Sequence, residues 1–365
     1  MDRILPCGGS GLGSNPSRGT FNNLCILLVC EKMIEIIKRY PEMLADAVKI
    51  AEKIVTPDYK FNKIIVSGVG GSAISGELLK CLLRDKIRIP IEVIRDYHLP
   101  AYADDNTLVF CISYSGNTEE ALSQFVDAVE KKCKMIGITS GGKLKEWCDK
   151  LNIPYVLIPG NYQSRAALPY LFIPLIVFLQ RFGLIDLKTE IDETIQTLKE
   201  VKIDDIREIA SNLKDSIPVI YASNEYSGVA ERIKTQFNEN SKMPARYNVF
   251  PELDHNEIVG YQNEGLNKNS YIILLRDKEE TEEMRARIEI TKDIIKDRIK
   301  GIHEIWAQGS SRLSRMMSLL FIGDVLSYEL AVLNGVDSVL IENIDIVKRR
   351  LKERLNLIEK LEKKI

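Results

Sequence analysis

The sequence predicts an α/β protein of two doubly wound domains, each a mainly parallel sheet flanked by helices. Three observations carry that expectation. Short apolar runs rich in β-forming residues alternate with amphipathic stretches. The alternation runs once through the first half of the chain and again, in degenerate form, through the second. Two strands of the first half break into Gly-rich or Ser-rich turns that open directly into helices, the pattern of right-handed crossovers in a parallel sheet. A chain of 365 residues exceeds a usual single domain, and 45% hydrophobic with 28% charged residues describes an ordinary soluble globular protein. The net charge of −2, from 50 basic and 52 acidic residues, gives no electrostatic case for a nucleic-acid or membrane partner. Any preference for anions must therefore be local. Seven cysteines, an odd number with no C-x-x-C spacing and no histidine pair nearby, argue against a disulfide framework and a structural zinc site, and a reducing cytoplasm fits them.

Taken in order, residues 1–32 stand apart. Gly8, Gly9, Ser10, Gly11, Gly13, Ser14, Pro16 and Ser17 make a flexible stretch, and the apolar run from Leu24 to Cys30 is too short to span a bilayer and poorly arranged for a signal peptide. The expectation is a non-native or disordered extension, with the working protein starting at Met33. From Met33 to Ile54 the apolar spacing predicts two helical pieces interrupted near Tyr40-Pro41. Strands follow at Ile64 to Ser67, Ile91 to Ile94, Thr107 to Ser113, Lys134 to Thr139 and Tyr155 to Ile158, and then a very apolar helix runs to about Phe182. Residues Gly183 to Thr189 form the expected boundary, giving domains 33–185 and 186–365. A charged amphipathic helix from about Glu190 to Leu213 leads into the second alternation. Its strands are Val219 to Ala222, Ala245 to Val249, Tyr271 to Leu275 and Ile302 to Trp306, with helices around Val229 to Phe237 and from Glu279 to Ile299.

The chemistry concentrates in two turns of the first half. After the third strand come Ser113, Ser115, Gly116, Asn117 and Thr118, hydroxyls that together with backbone N–H groups at a helix start can surround a phosphate monoester. An ordinary helix cap is the alternative, since Ser, Asn or Thr followed by Glu is common capping chemistry. After the first strand come Gly68, Gly70, Gly71 and Ser72, and the two turns should share one edge of the sheet. The Gly-rich turn lacks the third glycine of a dinucleotide fingerprint, with Ala73 in its place, and the lysine of a P-loop. No nucleotide site is expected. The second alternation has no such Ser-rich turn, so phosphate binding is assigned to the first domain, at Gly71, Ser72, Ser113, Ser115 and Thr118.

Together the Gly-Val-Gly-Gly-Ser-Ala and Ser-Tyr-Ser-Gly-Asn-Thr turns resemble the sugar isomerase (SIS) family, whose domains bind phosphosugars on a five-stranded parallel sheet flanked by helices. Three further segments, Ser164 to Tyr170, Phe237 to Lys242 with Pro244-Ala245, and Pro251 to Glu257, resemble one branch of it, the bifunctional phosphoglucose/phosphomannose isomerases found especially in archaea. The resemblance covers Met33 to roughly Arg354, in the family order, with Ser164 and Pro169 as local departures from its pattern.

The resemblance implies a metal-independent, cofactor-free isomerase that interconverts glucose 6-phosphate or mannose 6-phosphate with fructose 6-phosphate through a cis-enediol. It makes Glu239 the base that carries the proton between C2 and C1, and Arg165 the cation holding the enediolate charge. It makes His255, supplied by the neighbouring subunit of a homodimer, a ring-opening group, and places a ring-opening lysine, Lys348, on the C-terminal helix. Such an isomerase needs a carboxylate base, a group exchanging a proton with the ring oxygen, and a fixed cation. The bland alternatives are a helix-terminal surface Glu239, a capping or exposed His255, and a solvated basic helix face around Lys348 and Lys352. Arg165 at a helix start opposes the macrodipole there and so calls for an anionic partner. Competing readings are a non-catalytic phosphosugar-binding protein, which has no need of Glu239 with His255, and an isomerase of another phosphosugar.

Overall fold

The run at Thr107 to Ile112 becomes a strand with every residue buried, as an apolar segment between two neighbouring strands and two helix layers must be. A computed structural model describes residues 33–202 and 205–365, and the expected extension at 1–32 lies outside them. Residues 33–38 are helical, and α1 (Tyr40–Glu52) follows with Pro41 in its first turn, where a proline costs no hydrogen bond. Then come β1 (Lys63–Ser67), α2 (Gly71–Leu83), β2 (Ile91–Ile94), β3 (Thr107–Ile112), α3 (Glu119–Glu130), β4 (Lys134–Thr139), α4 (Gly142–Leu151), β5 (Tyr155–Leu157) and α5 (Leu168–Arg181). The five strands pair in parallel in the order β2-β1-β3-β4-β5.

The second half repeats the plan. Helices α6 (Lys188–Glu200) and α7 (Ile206–Leu213) lead into β6 (Ile217–Ser223), α8 (Ser227–Glu239), β7 (Arg246–Phe250), β8 (Ser270–Arg276), α9 (Glu282–Ile295), β9 (Gly301–Trp306) and α10 (Arg312–Asn334). The parallel order β7-β6-β8-β9 reproduces the first four places of the first sheet. Two helices close the chain, α11 (Glu342–Leu355) and α12 (Leu357–Glu362).

The single helix expected from Glu190 to Leu213 is in fact two, α6 and α7. Lys202 exchanges hydrogen bonds with the Gln308 side chain at 3.2 Å in both directions, and Asp205 takes a left-handed conformation with φ 61°. A distant side chain thus pins the break. Helix α10 is long and apolar enough to cross a membrane by length and composition, but 83% of its most apolar window is buried inside the protein. It is the core helix of the second half. One apolar core runs continuously from β1 and β3 through α1, α2, α5, α8 and α10 to β6 and β8. Each large side chain fully buried there, Phe172, Phe178 and Phe237 among them, contributes about 1.5–3 kcal/mol.

The expected division at 185/186 does not hold for the end of the chain. Leu361 is buried against the first sheet's outer layer with Leu122, Phe125 and Trp147, and Lys143 and Lys364 pair with Glu362 and Glu130 at 2.8 and 3.1 Å. Apolar residues of α12 find their cover on α3, so residues after 357 belong with the first half.

Candidate active site

The two turns meet because β1 and β3 are neighbours, with Ser67 opposite Cys111. A Cβ at Gly68 would come within 2.9 Å of the Ile112 carbonyl, so only glycine allows the turns this approach. Ser113 is buried and donates its hydroxyl proton to the Thr118 hydroxyl at 2.9 Å; Ser115 and Asn117 are exposed, the Asn117 N–H reaching Ser115 Oγ at 3.3 Å. Gly116, at φ +69°, lies against Gly141, where any side chain would collide with the Gly141 carbonyl. The next loop locks the turn from behind, Lys143 N–H donating to Asn117 Oδ1 at 3.1 Å. Thr118 holds the N-cap position of α3 but makes no capping bond. The helix-cap alternative therefore fails for this turn, whose hydroxyls serve the loop rather than the helix. Burial, with Glu120 beside it, raises the Glu119 carboxyl above its ordinary value.

Gly71 starts α2 beside the Ser164–Ala167 turn; a Cβ on it would meet the Ser164 carbonyl oxygen at 3.3 Å and Arg165 Cα at 3.5 Å. Ser72, next in the helix, is buried at the same place. The Gly-rich turn and Arg165 are thus one neighbourhood.

Arg165 is 2% exposed. Its guanidinium crosses to the second half, where the Glu239 carboxylate is its anionic partner. Nε donates to Asn240 Oδ1 at 2.8 Å, Nη2 to the carbonyls of Ser338 and Val339 (3.1 Å to the latter), and Nη1 stands 3.6 Å from Glu239 Oε2. A cation at the C-terminus of α8 is favoured by that helix's dipole. Burial lowers the Arg165 pKa from its usual value, opposed by the Glu239 charge and assisted by Arg232. Glu239, the last residue of α8, is a quarter exposed, partly buried rather than enclosed, and its backbone carbonyl accepts from Lys242 Nζ.

His255 and Lys348 are not brought to this pair within one chain. His255 ends the Glu252–His255 turn after edge strand β7, exposed and without a hydrogen bond or ion pair among the described residues. Its turn is rigid nonetheless: Asp254 accepts from Arg287 at 3.1 Å and from Thr291 at 2.8 Å. Lys348 stands on α11, a helix with no buried residue. That helix leaves the site's rim, since the carbonyls of Ser338, Val339 and Leu340 take the donors of Arg165 and Lys242.

Against known proteins, the chain is 41% identical over 339 residues to the bifunctional phosphoglucose/phosphomannose isomerase of Caldicellulosiruptor bescii, across 88% of this chain and 99% of that one. The chain belongs to the bifunctional phosphoglucose/phosphomannose isomerase family. Another member, from Aquifex aeolicus, is 36% identical over 306 residues, 82% of this chain and 93% of that one. Residues 59–145 match the SIS domain family and residues 203–351 the bacterial phospho-glucose isomerase C-terminal SIS domain. A D-glucosamine-6-phosphate 4-epimerase from Sulfolobus acidocaldarius is also similar, at 34% identity over 252 residues, 67% of this chain and 78% of that one. Among solved structures, a hypothetical protein from Thermus thermophilus superposes with TM-score 0.71 at 15% identity, across 93% of this chain and 97% of that one, a likeness of fold alone.

The sequence reading of this family member missed the groups that hold Arg165. Asn240, fully buried, relays the Arg165 bond to Ser327 Oγ at 2.9 Å. Arg232 donates to the Arg165 carbonyl and to Asp324 Oδ2 at 3.2 Å, and Tyr40 donates to that same oxygen at 2.6 Å. Burial first, then the Asp324 charge, drives the Tyr40 pKa well up, so the phenol keeps its proton and donates. A signal existed: Asp324 sits in the middle of a long apolar helix, and such a charge requires a buried partner.

Proposed function

We propose that this protein is an aldose-ketose isomerase that interconverts glucose 6-phosphate or mannose 6-phosphate with fructose 6-phosphate through a cis-enediol, without a metal. The observation that carries the reading is the Arg165–Glu239 pair beside the Gly71 turn, in a chain of this family. The phosphate is held by the hydroxyls of Ser113, Ser115 and Thr118 and by the N–H groups at the Gly71-Ser72 helix start. Glu239, opposite a fixed guanidinium, takes the C2 proton and returns it at C1. Arg165 stabilises the oxyanion of the enediolate, and its bonds to Asn240 and two carbonyls keep it in place as charge develops. Glucose and mannose differ only at C2, so one base serves both.

Ring opening falls to His255 and Lys348. His255 acts from the partner of a two-fold dimer, which makes the exchange reciprocal. Exposed Tyr247 and Val259 flank the His255 turn and support an interface there. Mixing His255→Ala with Glu239→Gln under subunit exchange, tracked with differently tagged chains, restores activity in the heterodimer, since one cleft receives both intact groups. Heterodimers as inactive as their parents would refute the shared site. The overall reading is tested by supplying fructose 6-phosphate in excess EDTA and following both aldose products. Both form; loss of activity on chelation sinks the metal-free mechanism, and absence of both products sinks the isomerase.

A further inference from the structure

The repeated strand order pairs β1 with β6 and, after them, α2 with α8, two helices of 13 residues each that pack against one another. They run in opposite directions. Cys81 near the end of α2 lies 3.4 Å from Ser227 at the start of α8, while Gly71 at the start of α2 lies beside Arg165, which holds Asn240 just past the end of α8. Gly228 permits this closeness, a Cβ there standing only 3.0 Å from the Glu77 backbone. An antiparallel pair of equivalent helices generates two equivalent clefts, one at each end. The first is the site described above.

The second is a cavity of about 440 Å³ lined by Lys80, Leu83, Arg84, Arg88, Asn224 and Ser227, within the size range of small-molecule sites. Matching the helices residue for residue sets Ser227 where Gly71 stands, Leu83 where Glu239 stands and Arg84 where Asn240 stands. Arg312, which opens α10 after Ser311 as Arg165 follows Ser164, repeats the reach across the halves, bonding Asp85 at 2.7 Å with Glu225 at 3.5 Å. The counterpart cleft therefore keeps cations and has lost the base: Leu83 is apolar and fully buried. Its one lining carboxylate, Glu77, is occupied by Lys80 at 3.2 Å and Arg95 at 3.5 Å. Arg84 and Arg88 are exposed and form no ion pair among the described residues.

We propose that this second cleft is a non-catalytic binding site for a small phosphate-bearing metabolite. Two guanidinia free for bidentate contacts, the Lys80 ammonium, the Ser227 hydroxyl and the Asn224 amide supply its donors. The experiment is an equilibrium titration of the full chain with 6-phosphogluconate, which cannot be isomerised, counting sites per chain. The unmodified protein binds two; Arg84→Ala with Arg88→Ala weakens one of them by about tenfold or more and leaves turnover of fructose 6-phosphate unchanged. Arg84→Lys with Arg88→Lys recovers part of the affinity. Because both arginines are exposed, the thermal midpoint of the double variant stays put, which separates lost binding from lost folding. A single site per chain, or two sites indifferent to both double variants, overturns the proposal. Binding is counted without turnover, so a protein that binds two equivalents but isomerises nothing refutes the isomerase reading and leaves this one standing.

Discussion

Thr118 and Thr281 occupy the same place in the two halves, the residue before the helix that follows the strand neighbouring β1 or β6, yet they do opposite things. In the first half Thr118 leaves its helix uncapped and accepts from Ser113, in a turn whose hydroxyls are buried at Ser113, half-buried at Thr118 and exposed at Ser115. In the second half Thr281 caps α9, its Oγ accepting from Met284 N–H at 3.3 Å. The turn there has consumed its own donors: Glu280 accepts the Asp277 N–H at 2.9 Å, Asp277 accepts the Glu279 N–H at 3.0 Å, and Asp277 Oδ2 takes Tyr226 and Arg315 as well. Arg276 is likewise enclosed by Glu280, Glu289 and Glu304 and stacked on Trp306. Internal carboxylates take up the N–H groups of this turn. One fold position thus yields either a turn of open hydroxyls or a structural knot, according to whether its donors are spent within the chain.

The sharpest way to break this contrast is at the base. Glu239→Gln preserves size and polarity but cannot take a proton, and turnover falls by about 10²–10⁴-fold with little change in substrate affinity. Exchange of the C2 hydrogen with deuterated water reads it directly; exchange at the native rate would assign the base elsewhere. Next is the charge pair joining the halves. Asp324→Asn leaves Arg232, 1% exposed, without its counter-charge, which destabilises the fold by about 3–5 kcal/mol, measured as a lowered denaturant midpoint. An unchanged midpoint would mean that Arg232 relies on the Arg165 carbonyl alone.

Smaller effects sharpen the loop comparison itself. Ser115→Ala with Thr118→Ala loses roughly 1.5–3 kcal/mol per charge-assisted hydrogen bond, seen as a raised inhibition constant for 6-phosphogluconate with folding nearly intact. An unmoved constant would remove the phosphate from this turn. The mirror substitution, Thr281→Ala, costs about 1 kcal/mol of stability through the lost cap and leaves that inhibition constant alone. If it raised the constant instead, the second turn would be taking part in substrate binding.

The strands were legible because each is an apolar run closed by turn residues, and their observed ends differ from expectation by a residue or two. That the Gly71-Ser72 and Ser113 to Thr118 turns share one edge of the sheet was legible too, since parallel strands that neighbour one another end side by side. Helix α10 was not, because it is apolar on nearly every face and offers no period to read. The break between α6 and α7 depends on Gln308, more than a hundred residues away, and local pattern cannot report it. The direction of the Arg165 side chain was not legible: a helix start seen in sequence hides the second helix end toward which it turns. Asn240, Arg232 and Tyr40 act only through three-dimensional juxtaposition, and Asp324, an acid amid the apolar run of α10, was the one trace they left.

The Tyr40–Asp324 hydrogen bond joins residues separated by 284 positions. During synthesis the first half emerges with Tyr40 and the carbonyl-side partners of Arg165 still unmade, and at 5–20 residues per second the wait is roughly 15–60 s. Domain-sized hydrophobic collapse takes microseconds, so the first sheet is assembled long before its polar seam can close. Through that interval the nascent chain carries a half-built interface, with Arg165 solvated and the apolar side of α2 and α5 open to water, and it is at this stage of its life, rather than as the finished protein, that the molecule is most exposed to chaperones and to aggregation.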